Sequence, residues 1–176
     1  MRRVFLFVLL LSWVPAMAFS YESWYRATEP GEIEVKEIPP AKLMVADSPS
    51  RGDPFSQLFR YISKNDVAMT VPVESSMQRF DMRFYVGTKD KPRDLRDEAG
   101  VKVLEAPARL VVSAGERGGY SSANLREAED RVTRWLATNT QYRAVAEPYA
   151  VFWNGPYVPP FLKRFEIHVP VERIVN

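Results

Sequence analysis

Pro40-Ala41-Lys42-Leu43-Met44-Val45-Ala46 returns along the chain as Pro107-Ala108-Arg109-Leu110-Val111-Val112-Ser113, 67 positions later (107 minus 40), each residue keeping its size and chemical type or nearly so. Gln78-Arg79-Phe80-Asp81-Met82 returns as Lys163-Arg164-Phe165-Glu166-Ile167, 85 positions later (163 minus 78). Two matched segments in the same order predict a duplicated unit. A period this long exceeds the roughly 20 to 50 residues of solenoid repeats and suits one domain built from two similar halves. Such a domain has a cleft where its halves meet, and clefts of that kind are common ligand sites.

Working outward, Asp53-Pro54-Phe55 reads as a helix start, with aspartate as the cap and proline in the first turn. Phe55, Leu58, Phe59 and Ile62 follow at i, i+3, i+4 and i+7, one apolar face of a short helix ending near Asn65. The early offset carried from Pro54 falls on Ser121. There a second helical pattern opens, with Leu125, Ala128, Val132, Trp135 and Leu136 on one face, running to about Asn139. Strand patterns surround both helices: Lys42 to Ala46, Met69 to Val73, Phe80 to Val86, Arg109 to Ser113, Ala144 to Trp153 and Phe165 to Val171. Gly87 to Gly100 reads as a solvated linker between halves of about 19–90 and 101–176, and Gly115 to Gly119 as a turn.

Alternation within the matched strands assigns their faces. Phe80, Met82, Phe84 and Val86 oppose Arg79, Asp81, Arg83 and Tyr85, while Phe165, Ile167, Val169 and Val171 oppose Arg164, Glu166 and His168. The apolar faces pack under the helices. If the sheet curves, Asp81, Arg83, Glu166 and His168 look into one shared groove.

The first 18 residues read as a secretory signal. Arg2 and Arg3 precede the apolar run Val4 to Val14, and Pro15-Ala16-Met17-Ala18 supplies small residues for cleavage before Phe19. The run is shorter than the roughly 20 residues that span a bilayer. Export to the bacterial periplasm without a stable membrane anchor is therefore expected. Removing the segment leaves 22 basic residues (24 minus 2) against 22 acidic ones, which argues against nucleic acid as a partner. The absence of cysteine excludes thiol catalysis, thiolate metal sites and disulfides.

His168 is the only histidine, so a multi-histidine metal centre is excluded; a partly exposed strand residue, a lone axial ligand or a lone acid/base remain open. Glu166 and Asp81 could meet a cation, or pair with Arg79, Arg83 or Arg164. No nucleophile elbow, phosphate loop or dinucleotide fingerprint occurs, and nothing positively indicates catalysis. The stretch Tyr149 to Phe161 carries Tyr149, Phe152, Trp153, Tyr157 and Phe161, with Pro148 before it and Pro156, Pro159 and Pro160 within it. Rigid aromatic loops suit a flat apolar ligand or a stiff barrel corner.

Phe55-Ser56-Gln57-Leu58-Phe59-Arg60-Tyr61-Ile62, Met69-Thr70-Val71-Pro72-Val73, and Pro148-Tyr149 through Asn154-Gly155-Pro156 to Arg164-Phe165-Glu166 resemble the SOUL haem-binding family, over about Tyr21 to Val171. The resemblance implies an α+β fold, a distorted eight-stranded antiparallel barrel or sheet with two helices, built from two pseudo-symmetric halves. It also implies a relation to the effector-binding domains of multidrug-responsive regulators, whose late-strand glutamate meets cationic ligands and matches Glu166. The expected function is a non-enzymatic binder of haem or another tetrapyrrole. Its rings would lie against Phe55, Phe59, Met69 and the aromatic loop with Tyr149 and Trp153, and Arg60, Lys64 or Arg83 would pair with propionates. The alternatives are a module for amphipathic cations countered by Glu166 and Asp81, and a small-molecule hydrolase using Glu166 as general base.

Overall fold

In the computed structural model, which describes residues 21–47, 52–79 and 81–174, two capped helices lie on one side of a curled antiparallel sheet. The export segment and Phe80 fall outside the described residues. Helix α1 (Pro54–Lys64) starts as expected: the Asp53 carboxylate accepts from Ser56 N–H at 2.8 Å and Pro54 opens the first turn. Helix α2 (Ser122–Thr138) is capped by Ser121, whose hydroxyl accepts from Asn124 N–H at 3.2 Å. No helix among the described residues is long and apolar enough to cross a membrane.

The strands are β1 (Glu22–Ser23), β2 (Ile33–Ile38), β3 (Ala41–Ala46), β4 (Thr70–Val71), β5 (Val73–Ser76), β6 (Met82–Tyr85), β7 (Val101–Ala106), β8 (Arg109–Arg117), β9 (Tyr142–Ala144), β10 (Tyr149–Phe152) and β11 (Arg164–Arg173). Eight of them form the main sheet in the order β2-β8-β11-β10-β5-β6-β3-β7, with β9 added to the far end of β11. Short β1 pairs with β4 in parallel. Exchanging β2 with β7, β8 with β3, β11 with β6 and β10 with β5 turns the order into its own reverse. The β5–β10 pair sits at the centre of that exchange.

Under this exchange the early offset is 68 rather than 67. The caps Asp53 and Ser121 are 68 apart (121 minus 53), and Met44 and Val112, also 68 apart, both face a helix. Leu43 and Leu110, matched by chemistry, lie on opposite sides of the sheet: Leu43 packs away from the helices and Leu110 toward α2. A one-residue slip in a strand swaps faces, so side chemistry alone misplaced the match. The later offset of 85 keeps faces, with Met82 and Ile167 both on the helix side.

Three further expectations are corrected. Gly115 belongs to β8, which continues to Arg117, so the turn begins only at Gly118. The expected strand from Ala144 to Trp153 is two strands broken at 145–148. The edge strands β2 and β7 have no counterpart in the sequence reading.

Each helix covers its own apolar cluster. Leu58, Tyr61 and Ile62 of α1 pack on Met44, Ala46, Val73 and Phe84, while Ala128 and Val132 of α2 pack on Val112, Ala114, Phe165, Ile167 and Val169. Phe152 touches both clusters and so marks the seam between them. The opposite, concave side of the sheet carries the alternate residues, and the site is built there.

Candidate functional site

Glu74 on β5, Arg83 and Tyr85 on β6, Arg109 and Ser113 on β8, Tyr149 on β10, Glu166 and His168 on β11 and Lys36 on β2 all point to the concave side, because each alternates with a neighbour buried under a helix. All but Arg83, which reaches Glu74 only as an ion pair at 3.7 Å, form one hydrogen-bonded network. Lys36 donates to Glu166 at 2.6 Å, and His168 Nε2 donates to the same carboxylate at 2.6 Å. His168 Nδ1 accepts from the Tyr149 hydroxyl at 3.1 Å, which in turn accepts from Arg109 Nε at 3.0 Å. Arg109 and the Tyr85 hydroxyl both donate to Glu74. The network thus runs from one buried carboxylate to the other, each matched by a cation.

A segment of the chain itself lies over this network. The strap Glu22–Thr28 is held at one end by β1–β4 pairing and by Glu22, which accepts from Thr88 N–H and hydroxyl. At the other end Thr28 N–H donates to Glu166 at 2.8 Å and the Thr28 and Ser113 hydroxyls meet at 2.7 Å. Two glycines make room for it. A Cβ at 115 would run into the carbonyls of Thr28 and Glu29, and one at 87 into the Glu22 carboxylate. Between these anchors Trp24 stacks on Tyr85 at 5.7 Å, and Tyr25 lies edge-on to Trp153 at 5.6 Å and to Tyr85 at 5.9 Å. The Lys36 ammonium stands 5.2 Å from the Tyr25 ring centre.

Glu166 therefore has no room for a ligand. Besides Lys36, His168 and Thr28, it accepts from Ser113 Oγ and Trp153 Nε1, each at 2.7 Å. Burial acts to raise its pKa, but the hydrogen bond from His168 and the charge of Lys36 outweigh that and bring it down to about 2. A carboxylate so held is a weak base at neutral pH. Burial pushes His168 below its ordinary value, with Glu166 opposing only in part, so the ring is neutral. His168 is fully buried rather than partly exposed, and both its ring nitrogens are engaged. Burial raises Tyr25 well above its usual pKa, and among the described residues its hydroxyl has no hydrogen-bond partner; neither do Trp24 Nε1 and Glu74 Oε2.

The residues expected to share one site divide among three places. Arg83, Tyr149, Trp153, Glu166 and His168 are on the concave side, with Asp81 at its rim, where it accepts from Ser76 N–H at 2.9 Å and pairs with Arg83 at 3.1 Å. Phe55, Phe59 and Met69 lie on the helix side, at α1. Phe55 stacks on Phe59 at 6.1 Å and meets Phe84 edge-on at 5.5 Å, and both Phe55 and Met69 pack against the α1 cluster. Arg60 and Lys64, about 100° per residue round the helix from those rings, line a shallow concavity of about 520 Å³ with Gln57, Tyr61, Glu98 and Ala99. Lys64 is paired with Glu98, while Arg60 has no ion pair among the described residues.

Sequence reasoning missed Lys36, Glu74, Arg109 and the strap. Alternation in Ile33–Ile38 and Val73–Ser76 carried the signal for the first two. Nothing local marks the strap, whose place depends on residues far along the chain.

The family model described as SOUL heme-binding protein matches residues 19–170, and the chain belongs to that family. Among solved structures, the fold is shared with the EcmrR–DNA complex in a cryo-EM structure, at 18% identity and a TM-score of 0.63 over 81% of this chain; the match spans 58% of the EcmrR chain. The EcmrR C-terminal domain matches at 19% identity and a TM-score of 0.59, over 81% of this chain and 98% of that one. A protein titled a hydrolase from Listeria innocua matches at 15% identity and a TM-score of 0.57, over 82% and 94%. At such identities these likenesses concern the fold alone. A comparison with curated proteins gives no match.

Proposed function

We propose that this protein is an exported, non-enzymatic tetrapyrrole binder of the bacterial periplasm, and that its ligand, haem or a close relative, lies against the helix side near α1. The supporting observation is the uncovered aromatic pair: Phe59 is 51% exposed and stacked on Phe55, which, like Met69, packs against the α1 cluster. A flat apolar macrocycle gains contact area there at little loss of side-chain entropy. Arg60, on the same helix and without an ion pair among the described residues, is long enough to swing toward a propionate. Family membership favours haem as ligand, and the buried, saturated Glu166 favours binding over catalysis. His168 would not ligate the iron, since both ring nitrogens are committed inside the core.

Haem titration followed by the Soret band tests this reading. Saturable binding is expected, with Phe59→Ala weakening it about tenfold, or roughly 1.4 kcal/mol, and Arg60→Ala by less. No saturable Soret change, or full affinity in Phe59→Ala, would dismiss the site. N-terminal sequencing of the exported protein, expected to start at Phe19, tests the export reading separately.

A further inference from the structure

The loop joining β10 to β11 ends in a protruding apolar tip. Tyr157 is 98% exposed, Phe161 70% and Leu162 48%. This exposure does not come from a slack segment. Pro156, Pro159 and Pro160 stiffen the loop, and Val158 N–H donates to Gly155 and Leu162 N–H to Pro159. Its base is closed by Trp153 N–H on the Arg164 carbonyl, and Pro160 rests on Gly119. Rigid rings held in water give up little entropy on binding elsewhere.

Basic residues flank the tip: Arg164 is paired with Glu29 at 3.2 Å, while Arg117 and Lys163 have no ion pair among the described residues. From Pro148 to Phe165 the chain holds no acidic residue, whereas Lys163 and Arg164 follow the tip and Arg117 pairs with Arg164 in the sheet register. Lys163 stands over the Tyr120 ring at 4.8 Å, which leaves its ammonium at the surface. Tyrosine, phenylalanine and leucine backed by lysine and arginine is the composition that settles at the boundary of an anionic bilayer. A projecting tip suits a fluid lipid surface better than a protein groove.

The position of the chain's entry agrees. β1 pairs with Thr70–Val71, two residues before Val73, and Val73 is the register partner of Phe152, from which the loop departs. Tyr21, two residues after the proposed new amino terminus at Phe19, therefore lies at the same end of the sheet as the tip. We infer that this end faces a membrane, with Tyr157, Phe161 and Leu162 entering the interface of an anionic leaflet and Arg117 and Lys163 over its headgroups. The inference stands apart from the identity of the ligand near α1.

The exported protein is tested with vesicles of equal parts phosphatidylglycerol and phosphatidylethanolamine, against phosphatidylcholine vesicles. Co-sedimentation with the anionic vesicles only is expected, with loss of at least tenfold in apparent affinity in the double variant Tyr157→Ser, Phe161→Ser. That variant should keep the wild-type circular dichroism spectrum and haem titration. In Tyr157→Trp, the added fluorescence should shift to the blue on anionic vesicles and be quenched by brominated lipid. Absence of binding to the anionic vesicles, or of quenching in Tyr157→Trp, would overturn the inference. So would lipid-free dimerisation abolished by the double variant, which would make a second copy the occupant.

Discussion

The two sides of the sheet treat their functional groups in opposite ways. On the concave side each buried carboxylate has its cation, Glu166 with Lys36 and Glu74 with Arg109, and the strap lays Trp24 and Tyr25 over them. On the helix side Phe59 stands half uncovered and Arg60 has no ion pair among the described residues. A charge that meets a ligand must be available to it, whereas Glu166 already accepts five hydrogen bonds shorter than 3 Å. Glu166 is thus saturated by the protein's own groups, and the aromatic surface left uncovered lies on the other side.

The largest expected effect tests whether Glu166 is structural. In Glu166→Ala the partly buried Lys36 ammonium loses its closest counter-charge and keeps only Glu34 at 3.9 Å, and Thr28, Ser113, Trp153 and His168 lose their acceptor. Removing one partner of a buried ion pair costs about 3–5 kcal/mol, and urea unfolding should show that loss. Glu166→Gln should cost less, because it keeps the shape and one oxygen. If Glu166→Gln unfolds like the wild type but loses affinity for a lipophilic cation, the concave side is a cation site after all.

Acid should weaken the same side. The Glu166 pKa falls from 4.5 to about 2 on folding, so its contribution is fully present above about pH 4.5 and is lost as pH falls through 2. At about 1.36 kcal/mol per unit that amounts to on the order of 3 kcal/mol. His168 adds the same sign earlier: its folded pKa lies below 6.5, so protonation in the unfolded chain lowers stability as pH drops beneath that value. Melting temperature should accordingly decline from about pH 6.5 downward. As the chain has one histidine, its NMR signal reports directly, and an imidazole that titrates freely near 6.5 in the folded protein would mean the concave side is open to water.

Gly115→Ala addresses the strap. Its methyl would meet the carbonyls of Thr28 and Glu29, and backbone yields less readily than a side-chain end. A destabilisation of about 1–3 kcal/mol is expected, with tryptophan emission shifted to the red as Trp24 and Trp153 gain water. Unchanged stability and emission would show that the strap is not seated over β8.

What the sequence showed and what it hid follow the range of the forces involved. Both helices were legible, because Asp53 and Ser121 cap them locally and apolar spacing repeats within one turn or two. Strand faces were legible from alternation, which placed Asp81, Arg83, Glu166 and His168 on one side. Register was not: Leu43 and Leu110 are identical residues on opposite faces, and only the pairing of β3 with β6 and of β8 with β11 settles them. The filled groove was hidden because Tyr21 to Thr28 has no period of its own; its place is set by Gly87 and Gly115, which act across 65 positions (87 minus 22) or more. Aromatic residues foreseen as one loop are divided by the same alternation, Tyr149 and Trp153 facing inward and Phe152 toward the seam.

Two tyrosines give the finest test of the contrast. The Tyr25 hydroxyl is buried without a hydrogen-bond partner, whereas that of Tyr149 accepts from Arg109 and donates to His168. Burying an unpaired hydroxyl is unfavourable, so Tyr25→Phe should leave stability unchanged or raise it by about 1 kcal/mol. Tyr149→Phe removes the link between the Arg109 guanidinium and the buried, neutral His168 ring and should cost about 1–3 kcal/mol. Thermal unfolding of both variants at neutral pH reads the difference, and circular dichroism checks that each keeps its fold. If Tyr25→Phe instead costs as much as Tyr149→Phe, the Tyr25 hydroxyl has a partner in solution, a water or a small ligand beside Glu74 Oε2. The concave side would then be a filled site, and the ligand sought near α1 would have a rival beneath the strap.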